Sequence, residues 1–382
     1  PLSNDGNTAQ NNPLSFLNPS DIESVTVLKD ASSAAIYGAR GANGVILIET
    51  KQADEGEGRV TYNGTVSSAQ IQDEIDVLDA NQFRRVVQEQ APSVAGELGF
   101  ANTDWQDLVQ RDGYTQEHNV AFSRGYEDSD FRISLGYRDE QGILEDSGLE
   151  RISASLNYNV RLLDDDLALR SSFKGSKTTQ DFEPGGLVGG AAAFDPTQPV
   201  RDVRSQFGGF YEWSAELPEN NPVASYVLEE NVGETFRSLG NVEAEYSIPA
   251  VTGLSARANL GYDVSTGERE FFAPTFLKGQ AENDFPGQVT RANFRQLNTL
   301  LDAYLTYDRT FSEIESKFDV TAGYSWQEIN EEYPEYTAAG LSTNIYGSDR
   351  SDVIRADTLS QVTTSLSEIP SRLISGFARL NY

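Results

Sequence analysis

The sequence predicts a mostly β protein built as an antiparallel transmembrane barrel, and three features carry that prediction. Long stretches of the 382-residue chain alternate apolar and polar side chains, the period of a strand with one greasy face. The connections between these stretches alternate strictly between short and long, as they do when turns lie on one side of a membrane and loops on the other. Aromatic residues mark both ends of the apolar faces. Tyr158, Tyr246 and Tyr307 fall near short connections, and Tyr137, Tyr262 and Trp326 near long ones.

Residues 151–162 show the alternation most cleanly. Ile152, Ala154, Leu156, Tyr158, Val160 and Leu162 share one face, and Arg151, Ser153, Ser155, Asn157, Asn159 and Arg161 the other. Residues 254–264, 297–307 and 318–326 repeat the pattern. About ten strands are expected: 59–69, 116–124, 130–139, 150–162, 166–177, 234–248, 253–266, 290–309, 315–329 and 372–382. Short links fall at 125–129, 163–165, 249–252 and near 310–312, and long ones at 178–233 and 330–371. One good helical stretch, Ala80 to Gln90, places Phe83, Val86 and Val87 on one face inside the first long connection.

Composition narrows the function. Fifty-nine acidic residues face 29 basic ones, for a formal charge of −30; a nucleic-acid surface needs clustered Lys and Arg and is excluded. Cysteine is absent, so no disulfide, thiolate nucleophile or sulfur-bound zinc enters. Methionine is absent as well. No charged segment followed by an apolar run opens the chain, and no apolar run approaches the ~20 residues of a spanning helix. Barrel strands need only ~9–11 residues of alternating character. The 17 Tyr and 19 Phe suit interface girdles or a lumen lined for carbohydrate or peptide.

One stretch has a different texture. In PSDIESVTVLKDASSAAIYGARGANGVILIETK (19–51), two apolar strands, 25–28 and 45–48, bracket a short helix that begins near Asp30 and stops at Gly38. Asp30 can cap that helix, and Gly38, Gly41 and Gly44 allow its end and the turns that follow. The strands read V-x-V and V-I-L-I, which predicts burial on both faces, inside an enclosure formed by the rest of the chain. Residues 1–18 read as loop and 52–58 as a polar linker.

LNPSDIESVTVLKDASSAAIYGARGANGVILIETK resembles the end of the plug domain of SusC/RagA-type TonB-dependent outer-membrane transporters. Weaker echoes follow at 78–83, at Leu135-Gly136-Tyr137 with Gln141-Gly142-Ile143-Leu144, and at Asn221-Pro222. The resemblance implies a division into the C-terminal part of a small α/β plug (1–51), a linker (52–58) and the N-terminal portion of a barrel with long extracellular loops (59–382). Plugged transporters need about 22 strands, so ten would be a partial barrel with part of a plug in its lumen. The location implied is the bacterial outer membrane, in contact with its lipid. The function implied is import of an oligosaccharide or peptide, driven by TonB with ExbB and ExbD and covered by a SusD-like lipoprotein lid, with no bond chemistry. A siderophore or cobalamin receptor on the same architecture is the alternative, and a soluble all-β adhesin or glycan-binding module stands further off.

Candidate site residues follow. The plug motif comprises Lys29, Asp30, Tyr37, Gly38, Arg40, Gly41, Asn43 and Gly44. In the wider family basic plug residues pair with acids on the inner wall, so Lys29 and Arg40 are expected either to form such a latch or to solvate the plug surface. The inward-facing acids are Glu243, Glu245, Asp263, Asp302 and Asp319. Phe207, Phe210, Tyr211 and Trp213, in a long loop, either stack on substrate or pack the loop. The Gly-rich run 38–44 lacks both phosphate-binding patterns. His118, the single histidine, reads as an ordinary strand residue. No cofactor or resident metal is expected. Calcium in a loop at the acidic clusters 54–57, 73–76 or 164–166 finds no EF-hand spacing to support it.

Overall fold

The computed structural model describes residues 16–29, 44–53, 56–213, 220–311, 316–342, 344 and 356–381. Alternating sequence becomes one antiparallel sheet of 11 strands. Strands β3 (Gly56–Ala69), β4 (Gly113–Gly125), β5 (Ser129–Gln141), β6 (Gly148–Leu162), β7 (Leu167–Asp181), β8 (Glu230–Ser247), β9 (Leu254–Ala273), β10 (Gln288–Phe311) and β11 (Ser316–Leu341) pair in chain order. The far side of β11 is shared. Strand β12 (Ala356–Glu368) pairs with its residues 332–341, and β13 (Ser371–Asn381) with 319–329. Pro370, which has no N–H to give, separates the two; the Ile369 N–H still reaches the Glu331 carbonyl at 2.9 Å. The sheet is open among the described residues, with β3 and β12/β13 at its edges.

The two faces divide as the pattern predicts. On β6, Ile152 and Tyr158 are 55% and 42% exposed, whereas Arg151, Ser153, Ser155 and Asn157 are each below 9%. The apolar face looks outward and the polar face is covered by the N-terminal segment. Tyr137, Tyr158, Tyr246 and Tyr262 stand exposed on the outer face. Residue 118 sits on it too, where His118 Nδ1 and the Tyr62 hydroxyl lie 2.7 Å apart.

The short connections are tight turns. Between β6 and β7, Leu163, Asp164 and Asp165 adopt φ of 58°, 53° and 70°, a left-handed run that Asp tolerates far better than Leu. Between β8 and β9, Gly253 has φ +89° and a Cβ there would strike the Asp308 carbonyl.

One loop expectation is overturned. Residues 330–371 are not a plain loop: β11 runs 26 residues, to Leu341, and β12 returns beside it. The run NEEYPEYTAAGL is polar on both sides, so it lacks the greasy face by which strands were recognised. It extends the wall beyond the band of alternation.

The long connections carry the helices: α1 (Ala80–Gln90) with a capping box from Asp79 and Gln82, α2 (Trp105–Val109), α3 (Leu187–Ala193), α4 (Pro222–Leu228) and α5 (Lys278–Ala281). No helix among the described residues is long and apolar enough to cross a membrane. Trp105, Val109, Leu187, Phe194, Phe210 and Val223 form a buried apolar core that joins the loop β3–β4 to the loop β7–β8. Trp105 and Phe194 meet edge to face at 4.7 Å.

Strands β1 (Ile22–Leu28) and β2 (Val45–Thr50) form a separate antiparallel pair. Burial on both faces is not met: Val25, Val27 and Ile46 are each more than half exposed. The hydrogen bonds to the sheet are made at Asp21, Thr50 and Lys51, at one end of this pair. The helix expected from Asp30 to Gly38 lies outside the described residues.

Candidate functional site: the seat on the inner wall

The N-terminal segment is fastened to the sheet by a preorganised turn. Asn18 caps a 3₁₀ turn over Pro19–Asp21, its Oδ1 accepting from the Ser20 N–H at 2.9 Å, and the Asp21 N–H donates to the Asn18 carbonyl at 3.0 Å. Proline at the first position suits such a turn because no N–H is needed there. The Asp21 carbonyl accepts from the Lys51 N–H at 2.9 Å, and Lys51 Nζ donates to the Ser20 carbonyl at 2.7 Å. The start of β1 and the end of β2 are thereby tied at one point.

That turn aims the Asp21 carboxylate into the polar face of β5 and β6. Arg132 Nη2 donates to its Oδ1 at 2.9 Å, Ser155 Oγ to Oδ2 at 3.1 Å, and Ser134 Oγ also donates to Oδ2. Both charges are buried, with side chains 7% and 10% exposed. Three donors meet the carboxylate, although Arg132 Nε is itself buried without a partner; removal of one member of such a pair strands a charge at about 3–5 kcal/mol. Alongside, Asn157 Nδ2 donates to the Lys51 carbonyl at 3.0 Å and its Oδ1 accepts from Ser172 Oγ at 2.8 Å. Gly136 makes this closeness attainable: a Cβ there would stand on the Asn18 amide and 2.6 Å from Ser153 Oγ. Asn119, opposite Gly136 on β4, is fully buried with neither amide atom paired, a cost of about 1–3 kcal/mol. Further along the wall, the Arg237 guanidinium lies over the Phe16 ring at 4.0 Å.

At this seat the acid stands on the segment and the base on the wall. Four of the five wall acids have other occupations. Glu243 and Glu245 take Arg170 at 2.8 and 3.0 Å, Glu245 also takes Arg257 at 2.7 Å, and Asp263 takes Arg237 at 2.7 Å. Asp302 accepts from Ser325 Oγ, and Asp319 has no side-chain partner among the described residues. Arginines on the wall itself reach Glu243, Glu245 and Asp263 first. Lys29 is exposed at the end of β1 and pairs with nothing among the described residues. Gly44 holds φ +93° at the start of β2, while Asp30, Tyr37, Gly38, Arg40, Gly41 and Asn43 lie outside the described residues. The signal for Asp21 was present in the N-P-S-D turn, whose geometry matters more than the charge count.

The TonB-dependent Receptor Plug Domain family matches residues 1–45. The TonB-dependent receptor SusC of Bacteroides thetaiotaomicron is 30% identical over all of this chain and 39% of its own length. The TonB-dependent receptor P3 of Formosa agariphila is 30% identical over 95% of this chain. The chain belongs to the SusC/RagA-type TonB-dependent receptors. It spans about two fifths of the length of these relatives. Among solved structures, the RagAB peptide importer in its open-open state superposes with a TM-score of 0.77 at 20% identity, covering 96% of this chain and 44% of that one. The ferric citrate transporter FecA superposes with 0.52 at 10% identity and 96% coverage of this chain. The open sheet is therefore part of an outer-membrane β-barrel wall, and the segment seated on it is plug.

In the loops of the receptor, Phe210 packs instead of binding. It is fully buried, with Arg201 lying 3.5 Å over its ring, so no ring face remains for a ligand. Tyr211 stands edge to face with Phe194 and with Trp213, at 6.5 and 5.8 Å; Phe207 is half-buried. Burial pushes the Tyr211 hydroxyl up to about 12. Three loop carboxylates are also raised. Glu212, which accepts from the Asn221 N–H at 2.9 Å, and Glu229 rise to about 7, and Asp146 to about 6, in each case chiefly because burial penalises the charge. Among the described residues no group of three or more His, Asp or Glu could hold a metal ion.

Proposed function

We propose that this chain forms the plug-to-wall junction of an active importer that carries an oligosaccharide or peptide across the outer membrane. TonB, with ExbB and ExbD, would supply the pull, and a SusD-like lipoprotein would cover the loops. The observation that supports this best is the Asp21–Arg132–Ser134–Ser155 seat, which is buried, polar and small. A structural core would be apolar. A polar seat holds the plug at rest, yet each bond lost can be replaced by water once the plug moves, so the moved state is accessible under a mechanical pull. The division into plug (1–51), linker (52–58) and wall (59–382) fits this reading. Asp21 lies in the first part and Arg132, Ser134 and Ser155 in the third, while β3 begins at Gly56, inside the expected linker.

A siderophore or cobalamin receptor draws less support, because FecA superposes less well than RagAB. A soluble module draws less still, because the wall exposes Phe122, Leu135, Ile152, Phe236 and Leu260 along its outer face. The test is uptake by cells carrying the intact receptor, with glycan, peptide and ferric siderophore as separate sole supplies. Growth on glycan or peptide that stops when TonB is deleted supports importer function. Growth restricted to ferric siderophore would overturn it.

A further inference from the structure

Above the wall, the loop β3–β4 borders a groove of about 830 Å³, the size of an ordinary ligand site. Its floor is apolar, formed by Leu78, Phe83, Trp105, Ala192, Phe194 and Pro196. Its rim is acidic, formed by Glu74, Asp76, Asp79 and Asp104, and no Lys or Arg lines it. Asp79 and Asp104 already cap α1 and α2; Glu74 and Asp76 are exposed and bond to nothing else among the described residues.

The backbone of the rim is the second observation. Residues 70–79 form neither helix nor strand. At Ile75 the buried Gln106 amide stands in for a neighbouring strand. The Ile75 N–H donates to Gln106 Oε1 at 3.0 Å, and Gln106 Nε2 donates to the Ile75 carbonyl at 2.8 Å. On either side of that clamp, the main-chain groups of residues 71–74 and 76–77 meet no partner among the described residues. Ile75 and Val77 are each 50% exposed, alternating with Glu74 and Asp76. A held edge with free N–H and C=O groups, alternating apolar and acidic side chains, is the template that strand addition uses.

Resting on the importer reading, we infer that this groove receives peptide cargo, as an extended segment in which Lys or Arg alternates with apolar residues. The cargo backbone would pair with the free groups of residues 71–74, 76 and 77, its apolar side chains would enter the floor, and its cations would meet Glu74 and Asp76. A neutral glycan offers neither the positive charge nor a repeating N–H and C=O ladder, so the chemistry selects a peptide.

The test uses the intact receptor in detergent and fluorescence anisotropy with three labelled probes: an alternating Lys–Val decapeptide, a Glu–Val decapeptide and a neutral oligosaccharide of similar mass. The Lys–Val probe should bind, at least tenfold more tightly than the other two, and weaken as salt rises. E74Q/D76N, two exposed substitutions that remove charge at constant size, should weaken it about tenfold. Equal binding of the two peptides, or an unchanged Kd in E74Q/D76N, overturns the inference. TonB-dependent uptake of the oligosaccharide without Lys–Val binding also overturns it, and leaves the importer reading standing. Loss of the importer reading itself would appear separately, as uptake of every probe indifferent to TonB.

Discussion

The seat of the plug and the cap formed by the loops are two buried regions of one receptor, and they are built from opposite materials. The seat uses a carboxylate, a guanidinium, two serines and an asparagine; the cap uses Trp105, Phe194, Phe210 and aliphatic residues. Water can replace the seat's bonds one for one, whereas opening the cap exposes apolar area at roughly 25 cal/mol per Å². The contrast teaches which junction is arranged to part and which to persist. The unpaired Asn119 amide fits this, since a permanent junction would not retain a buried polar group with no partner.

The largest effect should come from breaking the seat on one side. R132A strands the Asp21 charge and should cost about 3–5 kcal/mol of plug attachment. Cells should become leaky to bulky antibiotics, while the barrel keeps its heat-resistant mobility on gels. D21N/R132M, which removes both charges, should recover much of the loss. If R132A cells stay tight, the seat does not retain the plug.

The cap supplies the converse. F210A deletes a fully buried ring and should cost about 3–5 kcal/mol locally. Limited proteolysis should then cut within residues 182–229 of the receptor, with no rise in antibiotic leak. A leak equal to that of R132A would show that cap and seat are one cooperative unit.

How far these regions were legible in the sequence follows from the same contrast. The wall was legible strand by strand, because a membrane imposes alternation on residues such as Ile152 to Leu162 and tertiary context has little to override. The cap core was half legible: Phe210 and Tyr211 were noticed as aromatic, but a ring that packs and a ring that stacks on a ligand carry the same letter. The seat was the least legible. Lys29 and Arg40 drew attention as charges, yet Asp21 is the residue that a turn holds rigidly against the wall, and Arg132 lies 111 positions away. Residues 330–341 escaped because a strand above the membrane has no lipid to impose a period on it.

A middling effect sharpens the picture of the seat. G136A places a methyl where Asn18 lies, and overpacking of this kind costs about 1–3 kcal/mol. G175A is the control, since the nearest atom to its Cβ would be 3.8 Å away. Leak in G136A but not in G175A would place the closest approach of plug and wall at β5. Equal behaviour of the two would remove Gly136 from the seat.

The smallest effect separates the regions by pH. Glu212 and Glu229, raised to about 7, and Asp146, raised to about 6, all bind protons more readily in the folded cap than in an unfolded chain. The sign follows from linkage: the unfolded cap holds fewer protons in this range, so their contribution is full below about pH 4 and is lost as pH rises through 6 to 7. Opposing groups temper it. Lys278 faces Glu212 and Arg111 faces Asp146, each favouring the charged form, while Glu282 and Asp181 favour the neutral one. All three groups keep some contact with water, so the change is a loosening and not an unfolding. Hydrogen exchange at α3 and α4, corrected for the intrinsic rate, should be faster at pH 8 than at pH 5.5, and E212Q/E229Q should remove most of the difference. An unchanged difference in that variant would mean that these two carboxylates do not set the cap's response to acid.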